Sequence, residues 1–506
     1  MTFTRNFTQE KTDEKTETSN GRLVTFLLVL LIAGYVGGIM GLHWLRYERF
    51  MNGFDLAFYE QSVWNTAHGR FLEVSGTDFS RSVLGTDAIL ILALMTPLYM
   101  LVQSPFTLLF QETLVVGLGA LPVYWLARDR LKSRLAGLLL ATTYFMLLGV
   151  QNGNLYELRF RPMAMSFLLF AFYFYEQRKN LWLFSGFAVL ALCCRPENGM
   201  VLMMLALYGF IKGKQRTQGW RFVIGPLLLG TIWFVVAVGV LIPGVSITKG
   251  IALSENFAGG SPLAAVGSLF TSPAELFPDN GLIGKLVYVP LLLLPLLFLP
   301  LGSPTVLLMA LPSLGLNFLS IRPIQWDAYD YHYQGSIIPW LLVGTIFTLE
   351  KWCTQPPRFS PVGKYGPGLV LAATLAVYLV FNIGLNVVDK DHSIIPPDVV
   401  RTDNGIFKIL TQKEQARWEG GKELVKLIPD DAPLAITNLW ASRVKPRQGL
   451  WLFREKSLYS LHPTQDAQYI FADRRNADDR ALLDKLPTAQ WQTVAEKQDY
   501  VLLKRV

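Results

Sequence analysis

Cysteine is scarce in this chain: three occur among 506 residues, Cys193, Cys194 and Cys353, all in or beside apolar stretches and none in the polar C-terminal region. That excludes a disulfide framework or a cysteine-based zinc site there. Charge is scarce as well. Only 17% of residues are Asp, Glu, Lys or Arg, against 51% hydrophobic, which excludes an ordinary soluble domain for most of the length. The first segment, 1–21, is polar and mixed in charge, without the short basic region and apolar core of a cleaved leader. The first apolar run is therefore expected to stay as an anchor behind a cytoplasmic tail, 1–22. Internal repeats and low-complexity tracts are absent.

In their place stand many apolar runs of about 20 residues, the length that crosses a bilayer core. They fall at 23–44, 105–127, 135–152, 162–176, 181–195, 199–212, 222–243, 282–300, 303–320, 335–350 and 366–388. The fold class is thus an α-helical polytopic membrane protein with about eleven transmembrane helices. The formal charge of +8 fits Lys and Arg gathered in cytoplasmic loops and does not call for nucleic acid.

A twelfth stretch, 84–102, decides the topology. If it crosses, every later loop changes side. The basic clusters Arg128-Arg130-Lys132-Arg134, Arg178-Lys179, Lys212-Lys214-Arg216-Arg221 and Lys351-Arg358-Lys364 all face the cytoplasm only if it does not. It also carries Asp87 and Pro97, and is read as a re-entrant or interfacial helix. The outer face then holds the first loop 45–104, the loops 153–161, 196–198, 244–281 and 321–334, and everything after 388. From 389 to 506, "LVKLIPDDAPLAIT", "AQYIFADRR" and "DYVLLKR" alternate short apolar strands with charged segments, predicting a small α/β extracytoplasmic domain.

That outer face collects the residues able to do chemistry. In "GFDLAFYEQSVWN" the spacing of Phe54, Phe58 and Trp64 predicts a short interfacial helix with Asp55 and Tyr59 on one side. Glu60 lies about 140° away from Asp55, so Asp55 must find its partner in another loop. The candidates are Glu157, Arg159 and Arg161 in "NLYELRFRP", Arg195, Glu197 and Asn198 in "CCRPENG", and Asp327, Asp330, His332 and Gln334 in "WDAYDYHYQ". Ionisable groups at the ends of apolar helices are costly unless paired or wet, and default to function. Taken singly, Arg195 with Glu197 or Arg159 with Glu157 reads equally well as a plain interfacial ion pair. Asp327 and Asp330 read as solvated, and Asn65 and His68 as caps of the interfacial helix. Taken together on one face, the carboxylates and arginines suit a phosphorylated lipid donor: Arg matches phosphate oxygens in pairs and a carboxylate can act as base.

"GFDLAFYEQSVWNTAHGRFL", with "TPLYML", "ALPVYWLAR", "YELRFRP", "RPENG" and "LNFLS", resembles an uncharacterised family of bacterial polytopic membrane proteins. That family is similar to the GT-C glycosyltransferases, which include protein O-mannosyltransferases and lipid A aminoarabinose transferases. The resemblance implies a GT-C-like fold, a sugar donor on a polyprenyl phosphate, a lipid, glycan or protein acceptor, and inverting transfer at the outer face of a bacterial inner membrane. It implies Asp55 as the catalytic base or as a ligand of a divalent cation such as Mg or Mn. Charge developing on the leaving phosphate calls for nearby cations, for which Arg159, Arg161 and Arg195 are the expected residues, with Glu157 and Glu197 orienting them or sharing a metal with Asp55, and Tyr59 and His332 also expected to bind substrate. The pattern departs from the family at three points: Leu56 where many members carry a second acidic residue, "LGTDAIL" in place of a His-containing segment, and Arg161-Pro162 in place of His-Pro. On position alone, Asp87 and Arg161 remain candidates. Two rival readings stand beside it. A flippase for a lipid-linked sugar would show paired broken helices in two related halves, and a non-catalytic scaffold would tolerate changes around Asp55.

Overall fold

The computed structural model describes residues 3–50, 52–75, 80–177, 180–213, 220–246, 256–277, 281–354, 360–381, 412–454 and 466–506. The domain boundary at 388, the end of the run 366–388, residues 247–255 and 278–280 of the loop 244–281 and the basic residues Arg178, Lys179, Lys214, Arg216 and Arg358 lie outside them.

The chain is mostly helical. The first helix, α1 (Phe3–Glu48), carries the apolar segment Gly21–Glu48, and with Pro105–Leu131 and Arg221–Val245 makes three helices long and apolar enough to span a membrane. A bent pair, Arg134–Met146 and Leu148–Leu155, would make a fourth. The expected count of about eleven is not reached among the described residues, and proline and length supply the reason. A 14-residue helix such as Leu181–Cys194 rises only about 21 Å. The runs 282–300 and 303–320 are chains of short pieces: Gly281–Leu293 ends at Leu294–Leu296, and Pro304–Leu307 is followed by Leu308–Ala310 and Leu311–Leu319. Pro290, Pro295, Pro300, Pro304 and Pro312 each remove a backbone donor and crowd the preceding turn.

The stretch 84–102 forms a single turn, Leu84–Asp87, and an 11-residue helix, Ile91–Leu101, parted by Ala88 in the left-handed region. The longer piece, about 16 Å by its rise, packs against α2 (Phe54–Ala67). Between these and the later helices runs α3 (Phe160–Gln177), buried along most of its length.

The C-terminal region holds a five-stranded sheet of β1 (Leu434–Ile436), β2 (Leu450–Leu452), β3 (Tyr469–Asp473), β4 (Trp491–Lys497) and β5 (Tyr500–Arg505), in the order β2-β1-β3-β5-β4. The first three pair in parallel and the last two antiparallel. Interior strand β1 is a wholly buried Leu-Ala-Ile, as a strand covered on both faces requires, whereas the edge strand β4 is mostly exposed. The helix Gln412–Val425 and the turn after β1 press this domain onto the end of α1 and the first loop. Phe50 stacks on Trp418 at 3.8 Å between ring centres, with Trp440 at 4.8 Å and the Arg443 guanidinium 3.7 Å above it.

Candidate active site

The site begins at a helix start that lacks its own cap. Gly53 precedes α2 and has no side chain to accept from the first-turn amides, which an N-terminus otherwise leaves unsatisfied. Groups from elsewhere do so. The Glu157 carboxylate accepts from the amides of Gly53 (2.8 Å) and Leu56 (2.9 Å), and Asn438 Oδ1 accepts from the amide of Phe54 (2.7 Å). A Cβ on Gly53 would stand 2.9 Å from Asn438 Oδ1 and 3.1 Å from Glu157 Oε1. Glycine is needed for that close approach. Glu157 itself has φ 57°, a left-handed conformation that is costly for a residue with a side chain.

Asp55 sits between the capped amides, and its carboxylate pairs with Arg159. Three further pairs flank it. Arg195 reaches Asp87 at 2.8 Å and Glu197 at 3.2 Å, and Arg161 reaches Glu197 at 2.8 Å. Three arginines thus meet three carboxylates drawn from four separate segments. Their side chains keep 11–16% exposure on the arginines and 28% on Asp87, so the cluster is lined up at an opening and not sealed. Behind it, Arg159 lies over Tyr156 (4.9 Å) and Arg161 over Tyr333 (4.8 Å), and His332 stacks on Tyr333 at 4.4 Å. Tyr59 is buried against Phe160.

Electrostatics follow from that packing. Burial alone would raise the Glu197 carboxyl, but the guanidiniums of Arg195 and Arg161 outweigh it and hold the group at about 2. Burial and the nearby charges of Arg159, Arg161 and Arg195 push His332 well below the usual histidine range, so its imidazole is neutral. Glu157 is raised by burial and by the Asp55 charge.

Asp55, Tyr59, Glu157, Arg159, Arg161, Arg195, Glu197 and His332 come together here, whereas Asn198 and Gln334 are engaged elsewhere, with Ala191 O and Ser336 and with Tyr288. Some of the expected pairings change. Arg195 does pair with Glu197, but Arg159 pairs with Asp55 and not with Glu157, whose two oxygens are taken by backbone amides. Glu60 turns away, buried beneath a hydrogen bond from Tyr99 (3.0 Å); burial raises its carboxyl to about 8. Asp327, read as solvated, is buried and accepts from the amides of Tyr329 and Asp330 (2.7 and 2.8 Å). That makes it a turn former. Asn65 and His68 do finish α2, through Glu73 O and Trp64 O. Sequence reasoning missed Asn438, Tyr156 and Tyr333, and it missed Glu112, fully buried with neither carboxylate oxygen partnered among the described residues. A metal was expected to be optional. Among the described residues no three of His, Cys, Asp and Glu come together to hold one, and the carboxylates nearest Asp55 are committed to arginines or amides.

The profile of a family described as predicted membrane proteins, DUF2079, matches residues 46–502. The chain belongs to that family. No curated protein matches it. Among solved structures it is similar to ArnT from Cupriavidus metallidurans in the apo state, at TM-score 0.54 and 12% identity over 97% of this chain and 98% of that one. It is also similar to the same enzyme bound to undecaprenyl phosphate, at TM-score 0.51 and 11% identity over 94% and 98%. This family member therefore shares the ArnT fold over nearly its whole length, including the C-terminal sheet domain. That fold is of the GT-C class.

Proposed function

We propose that this protein is a membrane glycosyltransferase that moves a sugar from a polyprenyl-phosphate donor to an acceptor hydroxyl at the membrane surface, with inversion. The observation that carries the reading is the Asp55–Arg159 pair, set at a capped helix start beside Arg161 and Arg195. The fold shared with an enzyme whose structure holds undecaprenyl phosphate supports the donor class.

In the proposed reaction the acceptor oxygen attacks the anomeric carbon and the sugar–phosphate bond breaks, leaving its electron pair on the phosphate. Asp55 takes the hydroxyl proton as general base. Charge grows on the departing polyprenyl phosphate, and the guanidiniums of Arg159, Arg161 and Arg195 stabilise it where it develops. Glu197 and Asp87 hold Arg161 and Arg195 in place. Without a donor Arg159 latches Asp55. A phosphate competing for the same guanidinium releases the carboxylate to act as base. The neutral His332 and Tyr59 border the space for the sugar, and the tyrosines behind the arginines offer it flat apolar faces. A divalent cation does not fit the donor set described above, and no step is routed through one.

The proposed setting is a bacterial inner membrane with the N-terminus in the cytoplasm and the site and C-terminal domain outside. Its support is that Arg130, Lys212 and Lys351 stand in the last turns of helices, at the end away from Arg161, where cytoplasmic positive charge gathers.

The test is transfer from a panel of radiolabelled polyprenyl-phosphate sugars in membranes, comparing wild type with Asp55→Asn. Loss of transfer in a folded Asp55→Asn protein is expected. Equal transfer by the two removes Asp55 from the chemistry and overturns the reading.

A further inference from the structure

We propose that Asn438, in the C-terminal domain, is a positioning residue for Asp55, and that this domain is a working part of the site. The proposal rests on the glycosyltransferase reading, since it assigns Asp55 a reaction to be positioned for.

Three observations carry it. The first is the capping arrangement. Of the amides that flank Asp55, those of Gly53 and Leu56 are held by Glu157, and that of Phe54, the residue immediately before Asp55, is held by Asn438 Oδ1 at 2.7 Å. A side-chain oxygen on a first-turn amide is the ordinary task of a residue at the helix start. Here it comes from a residue 384 positions away, in a different domain. The second is the place from which Asn438 reaches. It follows β1 directly, in the turn Asn438–Arg443, at the carboxyl end of a parallel strand. In open α/β sheets this end is where ligands are bound. In this chain the first loop of the membrane domain takes that position.

The third is that the grip does not depend on one bond. Before Asp55, the Tyr47 hydroxyl donates to Ser442 O (3.2 Å). Beyond it, Gln61 Nε2 donates to Arg447 O (3.0 Å) and Gln448 O (2.8 Å). The C-terminal domain therefore holds the end of α1 ahead of the catalytic residue, and α2 at its first turn and again about one and a half turns further on. With the end of α1 and the middle of α2 held by independent contacts, losing the Asn438 bond alone leaves the domain docked and frees only the first turn. That turn carries Asp55 toward Arg159. A displacement of about 1 Å at a reacting group can cost about a hundredfold in rate, so a partial loosening predicts a loss of roughly tenfold.

The experiment uses the full-length protein in lipid nanodiscs, with Asn438→Ala, Asn438→Asp, which keeps the acceptor oxygen at a helix start that favours a carboxylate, and Lys445→Ala as a control at an exposed surface pair with Asp430. Two readouts are taken: amide hydrogen exchange across residues 53–56, and kcat and KM for a polyprenyl-phosphate sugar. For Asn438→Ala the expected result is faster exchange at 53–56 and a kcat about tenfold lower, with donor KM unchanged within twofold. Asn438→Asp restores both, and Lys445→Ala matches wild type. Wild-type exchange or wild-type kcat in Asn438→Ala overturns the proposal. So does an equal loss in the Ala and Asp variants, which would mark a packing defect. The two failures are separable. If Asp55→Asn transfers as well as wild type, or wild type transfers from no donor, the glycosyltransferase reading falls, and the exchange at 53–56 still decides whether Asn438 fixes the start of α2.

Discussion

The two ends of α3 both carry arginine–carboxylate clusters, and they are built differently. At its start, Arg159 and Arg161 belong to a set drawn from loops and helix termini, with Glu157 and Ala88 both in left-handed backbone. At its far end, Glu176 pairs with Arg130 and accepts from Tyr208 (3.0 Å), while Arg130 also reaches Glu350 at 3.4 Å. Those residues sit inside regular helices, Ala120–Leu131, Asn198–Gly213 and Ile338–Thr354. Ion pairing on its own does not mark a site, since both ends have it. What separates them is the backbone that carries the groups: loops and helix termini at the start, regular helices at the far end, where the left-handed Lys132 only closes the helix Ala120–Leu131. The far cluster ties four helices together; the near one gathers charged groups from loops and helix termini.

The sharpest way to break that contrast is at Asp55. Asp55→Asn should lower transfer by about 10²–10⁴, the usual worth of a general base, measured against the panel of donors. Next comes Arg195→Ala, which leaves both Asp87 and Glu197 short of a partner. Removing one member of a buried pair costs about 3–5 kcal/mol, read as lost stability in thermal unfolding. Arg161→Ala should cost less, because Glu197 keeps Arg195. A pH series sharpens the same end. Glu197 is held at about 2 against an ordinary 4.5, so its contribution is fully present above about pH 4.5 and is lost as pH falls toward 2. At 1.36 kcal/mol per unit that is roughly 3 kcal/mol. The stability gap between wild type and Glu197→Gln should be flat from pH 8 to 5 and close below 4.5.

Gly53→Ala is a milder probe. Its φ of −104° suits alanine, so only crowding against Asn438 and Glu157 acts, and transfer should fall about tenfold, a barrier change of about 1.4 kcal/mol. Gly186→Ala, where a Cβ meets nothing within 4 Å, should leave transfer unchanged. A small effect on transfer is also expected at the far end of α3. Glu176→Gln should lower the melting temperature yet keep kcat within about threefold of wild type. A large loss of transfer there would erase the distinction between the two ends.

Much of the site was legible in the sequence for one reason: ionisable residues at the ends of apolar helices are rare enough to be noticed. Arg159, Arg161, Arg195 and Glu197 came from that rule. Asp55 was expected to look to another loop, because Glu60 points elsewhere around the helix. The strands β1, β3 and β5 were visible as short apolar runs between charged segments. What stayed hidden depended on partners far along the chain. Glu157 caps amides 101 and 104 residues away, and nothing in "YELRFRP" distinguishes a carboxylate aimed at backbone from one aimed at an arginine. Asn438 is an ordinary turn residue after an ordinary strand. The count of about eleven spanning helices is not reached among the described residues where proline-rich apolar runs break into short pieces.

The bond between Phe54 and Asn438 closes a span of 384 residues, and that fixes an order of events during synthesis. At about 5–20 residues per second, the first loop emerges roughly 20–80 s before the residue that completes its helix start. A nascent chain therefore displays Asp55 and its arginines well before the cap is closed. A ribosome that stalls inside the membrane segments therefore releases a product whose α2 start lacks the Asn438 cap.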